Sequence, residues 1–161
     1  MSPWQRGWIS IANLGLGGLG IVAFLLVGCA LHTVAPREFA SYPGGLFSSG
    51  DFRAVSPEGL LFTVRTEKND PKADLPFWRQ AMKTRMSQAG YRIVSDTNCL
   101  MGGKEAALLK MAAPVGNKDY LYWVAISVSG KKILVVEAAG EAKPFLRRAP
   151  DIAEAIAATA Q

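Results

Sequence analysis

Two alternating segments joined by a two-residue turn constrain the fold of this chain more than any other feature. In residues 120–129, Tyr122, Val124 and Ile126 alternate with a second set of side chains, which is the period of a β-strand. The pair Gly130-Lys131 then leads into residues 132–138, where Ile133 and Val135 share a face. A short connection that contains glycine is typical of a β-hairpin. The sequence therefore predicts two antiparallel strands here.

Further strand patterns lie before this hairpin. Each is short, alternating or β-branched, and bounded by residues that favour turns. The additional predicted strands are residues 51–56, 60–66, 91–95 and 106–112. Residues 96–103 are predicted to form the loop between the last two of these strands.

Two helices complete the predicted domain. Residues 75–89 form the clearer one, since Asp74 can cap its N-terminus, Pro76 suits its first turn and Gly90 suits the position after its end. Residues 150–159 form the second. Hairpins in place of regular β-α-β units predict an α+β domain with an antiparallel sheet of about five or six strands and two packed helices.

An apolar segment precedes this domain. Residues 9–27 carry no charged side chain, and Arg6 lies just before them. The segment is longer than the about 7–15 residues of a typical signal-peptide core and approaches the about 20 residues of a membrane-spanning helix. It predicts a signal-like or transmembrane-like N-terminal helix, with a cleaved signal preferred and a retained single span as the alternative.

The apolar segment ends in Leu26-Val27-Gly28-Cys29. Small residues before a cysteine at the end of a secretory signal resemble the lipobox of bacterial lipoproteins. The resemblance implies that Cys29 carries a diacylglycerol and further acylation, such as palmitate, and that residues 1–28 are removed. The next residue is Ala30 and not aspartate, which implies the outer membrane in preference to the inner one.

The chain is accordingly expected to have three parts. Residues 1–28 are the lipoprotein signal peptide, residues 29–50 a lipidated tether rich in proline and glycine, and residues 51–161 the globular domain. Phe39 and Tyr42 are too apolar for a purely flexible linker. We therefore expect part of the tether either to dock on the domain or to lie at the membrane surface.

Charge and glycine patterns give no sign of nucleic-acid or nucleotide binding. The net charge is +5, but the basic residues are scattered and do not form the stripe that nucleic-acid binding normally needs. Residues 15–20 match the G-x-G-x-x-G pattern, which has meaning only between a strand and a helix of a β-α-β unit. Here the pattern lies inside the apolar targeting segment.

The inventory of reactive side chains predicts no catalytic residue, metal site or cofactor. The chain has one histidine, His32, which lies in the tether, and Cys99 is the one cysteine besides Cys29. Nucleophilic catalysis with a histidine base and zinc binding both need more partners than these. Cys99 is expected to be a buried apolar residue. Glu105 and Glu137 are expected to lie on neighbouring strands with Lys110 or Lys132 opposite, as solvated charge pairs.

The order of the elements over residues 51–160 resembles the PsbP/DcrB-type αβα fold. The resemblance rests on a strand hairpin, a helix with Phe77-Trp78, the strands at residues 120–138 and a C-terminal helix. That group includes photosystem II extrinsic proteins and bacterial envelope lipoproteins. It implies a binding, assembly or accessory role without a shared catalytic centre, so no site residue is carried over.

Two functional hypotheses follow. The first is a membrane-anchored, non-enzymatic envelope lipoprotein that binds the bilayer through acylated Cys29 and an envelope protein through its domain. Its candidate contact residues are Tyr120, Tyr122, Asn98 and Lys104. The alternative is a small-ligand carrier or hydrolase with a pocket between sheet and helix around Trp78 and Trp123.

Overall fold

A seven-stranded antiparallel sheet forms the middle layer of the domain, and one helix covers part of each face. The structure is a computed structural model, which describes residues 32–42, 52–115 and 118–160. The strands are β1 (Ala40–Ser41), β2 (Phe52–Val55), β3 (Leu61–Lys68), β4 (Arg92–Met101), β5 (Lys104–Val115), β6 (Lys118–Ser129) and β7 (Lys132–Glu141), and the helices are α1 (Leu75–Gln88) and α2 (Ala142–Ala158). The sheet order is β1-β2-β3-β7-β6-β5-β4. The predicted α+β class is confirmed.

The β6–β7 hairpin forms where turn chemistry predicts it. The β6–β7 turn is Gly130-Lys131, with Gly130 in the left-handed region at a φ of 59°. The sheet has one strand more than the predicted maximum of six because Ala40 and Ser41 pair with β2. A two-residue strand is too short to show an alternating pattern.

The prediction of a loop at residues 96–103 is wrong. Strand β4 continues to Met101, and β5 begins at Lys104, so only Gly102-Gly103 form the turn. The polar residues Asp96 and Asn98 had suggested a loop, but they face α1 and are bonded by Arg79 from that helix. Tertiary contacts thus stabilise a strand whose residues have low intrinsic preference for one.

Helix α1 lies where its capping residues predicted it, whereas α2 is longer than predicted. The Asp74 side chain accepts a hydrogen bond of 3.0 Å from the backbone N–H of Phe77. Helix α2 begins at Ala142 and not at Pro150, which lies inside it. Proline removes one helical hydrogen bond, but Phe145 and Ile152 on either side are fully buried. Burial of this face outweighs the loss.

The two helices pack on opposite faces, which gives the domain two apolar cores. The α2-side core joins Phe62, Val136, Phe145 and Ile156, among others. The α1-side core joins Leu109, Val124, Ile126, Ile133 and Val135 with partly buried residues of α1.

Part of the predicted tether docks on the domain. Residues 32–42 run beside α2, and the Phe39 side chain is buried in the α2-side core. Arg148 bonds Glu38 and, at 3.1 Å, Glu58. His32 exchanges two backbone hydrogen bonds with Ala160, at 3.0 and 2.9 Å.

The predicted N-terminal helix and the lipobox lie outside the described residues. Within residues 32–42, 52–115 and 118–160, no helix is both long enough and apolar enough to span a bilayer.

Gly102 allows the close approach of the chain end that docks beside it. A Cβ at Gly102 would lie 2.4 Å from the Ala160 Cβ, whereas a Cβ at Gly103 would meet nothing within 4 Å. Both glycines have positive φ. We expect Gly102→Ala to lower the free energy of unfolding by about 1–3 kcal/mol more than the matched control Gly103→Ala, because only the first adds a steric clash to the backbone strain.

Urea denaturation followed by tryptophan fluorescence measures this difference. Equal destabilisation by the two variants would show that Ala160 does not pack on the β4–β5 turn.

Candidate functional site

Helix α1 covers only part of its side of the sheet, and the uncovered part forms a groove. The helix contacts β4, β5 and β6, and none of its residues is fully buried. Strand β7 contributes Ile133 and Val135 to the α1-side core at the edge of the helix, and β3 continues the sheet beyond them. This geometry leaves a cavity of about 460 Å³ along α1.

The groove has an apolar base and a charged rim. Its base is formed by side chains of the central strands, and its wall by α1. The apolar lining residues are Ile126, Ile133, Val135, Trp78, Ala81 and Met82, and the charged ones are Arg65, Glu67, Lys68 and Arg85. Its volume lies in the range of about 300–1,000 Å³ that small-molecule sites occupy.

A polar clamp holds the tryptophan in the groove wall. The Trp78 Nε1–H donates to Asn69 Oδ1 at 2.7 Å, and the Asn69 amide donates to the carbonyls of Ala73 and Gly130, both at 2.9 Å. Asn69 is buried, and each of these bonds satisfies a group that would otherwise be costly to bury. The clamp therefore ties the start of α1 to the β6–β7 turn and fixes one end of the groove.

The cations of the rim differ in their partners. Arg65 donates to Glu67 at 3.0 Å and also to Glu137, so its charge is compensated. Lys68 and Arg85 are exposed, and within the described residues no carboxylate forms an ion pair with either. The rim therefore favours a group with negative charge.

A hydrogen-bond network around Glu137 lies next to the groove. Its carboxylate accepts hydrogen bonds from the Arg65 guanidinium, the Tyr122 hydroxyl and, at 3.3 Å, the Thr63 hydroxyl. A carboxylate has about four acceptor positions, so three donors leave little capacity for a ligand. A second hollow of about 220 Å³, lined by Thr63, Arg65 and Glu137 among others, adjoins this network.

Burial of Tyr122 and its bond to Glu137 raise the pKa of its hydroxyl far above the ordinary value of 10.0. The tyrosine ring also packs at 5.4 Å from the ring of Tyr91. Tyr122 therefore acts as a protonated hydrogen-bond donor over the whole physiological pH range. Two of the three partners of Glu137, Thr63 and Arg65, come from β3, and the third, Tyr122, comes from β6.

The expectation that Glu137 pairs with a lysine is wrong. Strand β3, distant in sequence, supplies Arg65 instead, and the Lys110 ammonium lies 4.1 Å from the centre of the Trp123 ring. Cross-strand pairing between β3 and β7 places Thr63 directly opposite Glu137, and such long-range pairing is not readable from either strand alone.

A second charged cluster ties α1 to the edge strand β4. Asp96 accepts hydrogen bonds from Arg79 and, at 2.9 Å, bonds Lys83. Burial opposes ionisation of Asp96, but the bonds and charges of Lys83 and Arg79 outweigh it and lower the pKa of this carboxyl. The cluster holds the helix over β4 and β5, which keeps it away from β3.

The two tryptophans of the proposed pocket lie on opposite faces of the sheet, so that part of the alternative hypothesis is wrong. Trp78 lines the groove, whereas Trp123 is buried in the α2-side core, 5.2 Å from the ring of Phe145. Because successive residues of β6 alternate between faces, Tyr122 lies on the α1 side and Trp123 on the α2 side. A pocket between sheet and helix does exist, but only Trp78 contributes to it.

The candidate contact residues do not form one surface. Tyr122 is half-buried in the Glu137 network, and Tyr120 lies two positions earlier on the same face. Asn98 lies on β4, where its carbonyl oxygen accepts a bond of 2.7 Å from Arg79. Lys104 begins β5 and donates to Ser129 at 3.4 Å. Their role as partner contacts stays a prediction, and Cys29 lies outside the described residues.

Within the described residues, no cluster of three or more histidine, cysteine, aspartate or glutamate side chains could hold a metal ion. Cys99 is half-buried beside the α2-side core, and burial raises the pKa of its thiol. It lies on the face opposite the groove. The side chains that line the groove can contribute shape, apolar contact and charge to a ligand.

Comparisons with known proteins show the fold. No known protein family matches the chain, and no curated protein is similar in sequence. Similar solved structures include PA94 of Pseudomonas aeruginosa, a protein of unknown function, with a TM-score of 0.56, 11% identity and coverage of 77% of this chain and 97% of that one. LpqN of Mycobacterium tuberculosis, involved in cell envelope biogenesis, gives 0.51, 12%, 78% and 79%.

A PsbP protein is also among the similar structures. CyanoP of Synechocystis sp. PCC 6803 gives a TM-score of 0.49 at 12% identity, with coverage of 88% of this chain and 95% of that one. The identities to all three proteins are too low for any residue role to be transferred.

The bond between Tyr122 and Glu137 predicts a loss of folding stability at alkaline pH that depends on Tyr122. Since the folded-state pKa of Tyr122 is raised above the unfolded value of about 10, the folded chain keeps a proton that the unfolded chain loses above pH 10. Its contribution is complete below pH 10 and declines as the pH rises beyond it, by about 1.4 kcal/mol per pH unit.

We expect Tyr122→Phe to remove this part of the decline between pH 10 and 11.5 and to cost about 2 kcal/mol at pH 7, since a hydrogen bond to a charged group is lost. Tyr120→Phe is the matched control. Denaturant unfolding at each pH gives the measurement, and identical pH profiles for both variants would contradict the assigned network.

Proposed function

We propose that this chain is a membrane-anchored envelope lipoprotein whose domain acts by binding and not by catalysis, with the α1 groove as the binding surface. The observation that carries the binding role is the combination of an apolar base, formed by Ile126, Ile133 and Val135, with the cations Lys68 and Arg85 at the rim. Such a surface matches an occupant that is apolar along its length and carries negative charge.

The anchoring part of the proposal rests on the N-terminal segment. The lipobox resemblance of Leu26-Val27-Gly28-Cys29 supports acylation, and Ala30 favours the outer membrane. LpqN, which shares the fold, is described as involved in cell envelope biogenesis. We extend only the envelope location to this chain.

The shape of the groove favours a segment of an envelope protein as the occupant. The groove lies along α1 and stays open at the surface, so an extended or helical acidic segment can lie in it and bury its apolar side chains. The cavity volume supports the second candidate, a small amphiphilic ligand with an acidic headgroup. Both occupants would place their negative group near Lys68 and Arg85.

Ala81→Trp tests the groove by filling it. Ala81 is half-buried on the groove wall, so an indole there would occupy the space that a ligand needs. The probes are a fluorescent fatty acid and a fluorescent acidic amphipathic peptide. We expect the Kd of the bound probe to rise at least about tenfold, because the indole prevents the probe from making at least one buried side-chain contact.

Ala153→Trp, at an exposed position of α2, is the matched control for bulk. Arg85→Glu and the exposed Arg147→Glu form a second pair, in which only the first is expected to weaken binding. Binding of the peptide alone favours the protein partner, and binding of the fatty acid alone favours the carrier. No saturable binding of either probe would contradict the groove as a binding site.

The anchor is tested by Cys29→Ser, because only the thiol of Cys29 can receive the diacylglycerol in the lipobox reading. We expect labelled lipid to be incorporated into the wild type and not into Cys29→Ser, and the wild-type mass to equal residues 29–161 plus the acyl groups. Cys99→Ser controls for loss of a thiol. An unlabelled wild type that retains residues 1–28 would favour the single-span alternative.

A further inference from the structure

Four lysines lie at one end of the sheet, which we name the lysine end: Lys68, Lys104, Lys131 and Lys132. Lys131 lies in the β6–β7 turn, and the other three are terminal residues of β3, β5 and β7. All four are exposed. Strands from both halves of the domain thus bring together charges that are scattered in the sequence.

Strand register places three of these lysines on one face. Lys68 pairs with Lys132, and Lys132 pairs with Ser129. The Lys104 ammonium donates to the Ser129 hydroxyl at 3.4 Å, and Lys104 pairs with Met101, which is buried in the α2-side core. Directly paired residues share a face, so the three lysines leave the sheet on its α2 side, although Lys68, at the end of β3, also lines the groove.

Glu67, Glu105 and Asp74 do not face the α2 side of the lysine end. Glu67 immediately precedes Lys68, and Glu105 immediately follows Lys104, so strand alternation places both glutamates on the α1 side. Asp70 and Asp74 belong to the segment that leads into α1, and Asp74 caps that helix. The α2 side of the lysine end is therefore more positive than the α1 side.

The docked N-terminal segment emerges at this same end and on this same side. His32 is bonded to Ala160, just after α2, and the Gly102 N–H of the β4–β5 turn donates to Ala157 at 2.9 Å. His32 follows Cys29 by three residues, and three residues span at most about 11 Å. A lipid on Cys29 would thus hold the lysine end close to the bilayer, with no long spacer between them.

We infer that the lysine end is a membrane-contact surface that binds anionic phospholipid headgroups and orients the anchored domain. This inference rests on the proposed Cys29 anchor. The anchor supplies proximity, and the lysines select the orientation, because each lysine near an anionic surface favours the bound state by about fivefold. In this orientation α1 and α2 extend away from the bilayer.

The test uses the full chain, purified with its lipid and reconstituted into vesicles of one-third phosphatidylglycerol and two-thirds phosphatidylcholine. A membrane-impermeant reagent acetylates the lysines, and mass spectrometry gives the rate at each position relative to its rate in detergent. Lys118 and Lys143 are internal controls, since they lie at the opposite end of the sheet.

We expect acetylation at the four lysines of the lysine end to slow at least about threefold more than at the two controls. The difference should disappear in pure phosphatidylcholine vesicles and in 1 M salt, where the screening length falls to about 3 Å. Equal slowing at all six positions, or stronger slowing at Lys118 and Lys143, would overturn the inference.

A charge-reversal pair provides a second measurement. The double variant Lys131→Glu/Lys132→Glu should abolish the protection of Lys68 and Lys104, whereas Lys143→Glu should leave it unchanged. Unchanged protection in the double variant contradicts the inference. Flotation with the vesicles separates the two proposals: a chain that floats without protection contradicts only the lysine contact, and a chain that does not float contradicts the lipid anchor as well.

Discussion

The pairing of β3 with β7 is the constraint on which the rest of this domain depends. The two strands are far apart in sequence, yet eight residues of β3 are in continuous register with β7, from Leu61 opposite Ala139 to Lys68 opposite Lys132. This pairing joins the N-terminal strands to the long C-terminal meander and so creates one sheet. It also sets Thr63 opposite Glu137 and brings Arg65 to the same carboxylate.

The groove follows from a mismatch between the width of that sheet and the width of one helix. Helix α1 is held over β4 and β5 by Asp96 and over the β6–β7 turn by Asn69, so it reaches Ile133 and Val135 of β7 at its edge and leaves the α1 side of β3 partly exposed. The partly exposed sheet face beyond the helix is polar, and Arg65 there donates hydrogen bonds to both Glu67 and Glu137. Apolar residues remain at the edge of α1, and they form the groove.

The two proposed surfaces adjoin at Lys68, which belongs to the lysine end and also lines the groove. The rest of the groove lies on the α1 side, while the lysine end continues the α2 side at the strand termini. A domain that rests on the bilayer through the lysine end would keep the groove open to partners or ligands beside the membrane. Anchoring would then raise the local concentration of the groove for other membrane components.

The sequence by itself determined the local structure and the class of fold. The alternation in β6 and β7, the Gly130-Lys131 turn and the Asp74 cap all act over a few residues, and local backbone preferences are sufficient to read them. The two-residue strand β1 and the strand character of Asp96 to Met101 escaped prediction because only packing against other elements stabilises them. The early start of α2 at Ala142 escaped for the same reason, since burial of Phe145 outweighs the signal of Pro150.

Tertiary structure alone decided which side chains meet. It placed Trp78 and Trp123 on opposite faces, joined Glu137 to Arg65 and gathered Lys68, Lys104 and Lys132 at one end. Each of these outcomes depends on pairing between strands that are remote in sequence. The entropy cost of closing the long loops between such strands is not encoded in any short stretch of residues. The sequence could therefore predict an anchored α+β domain, whereas its candidate binding surfaces became visible only when the register of the sheet was known.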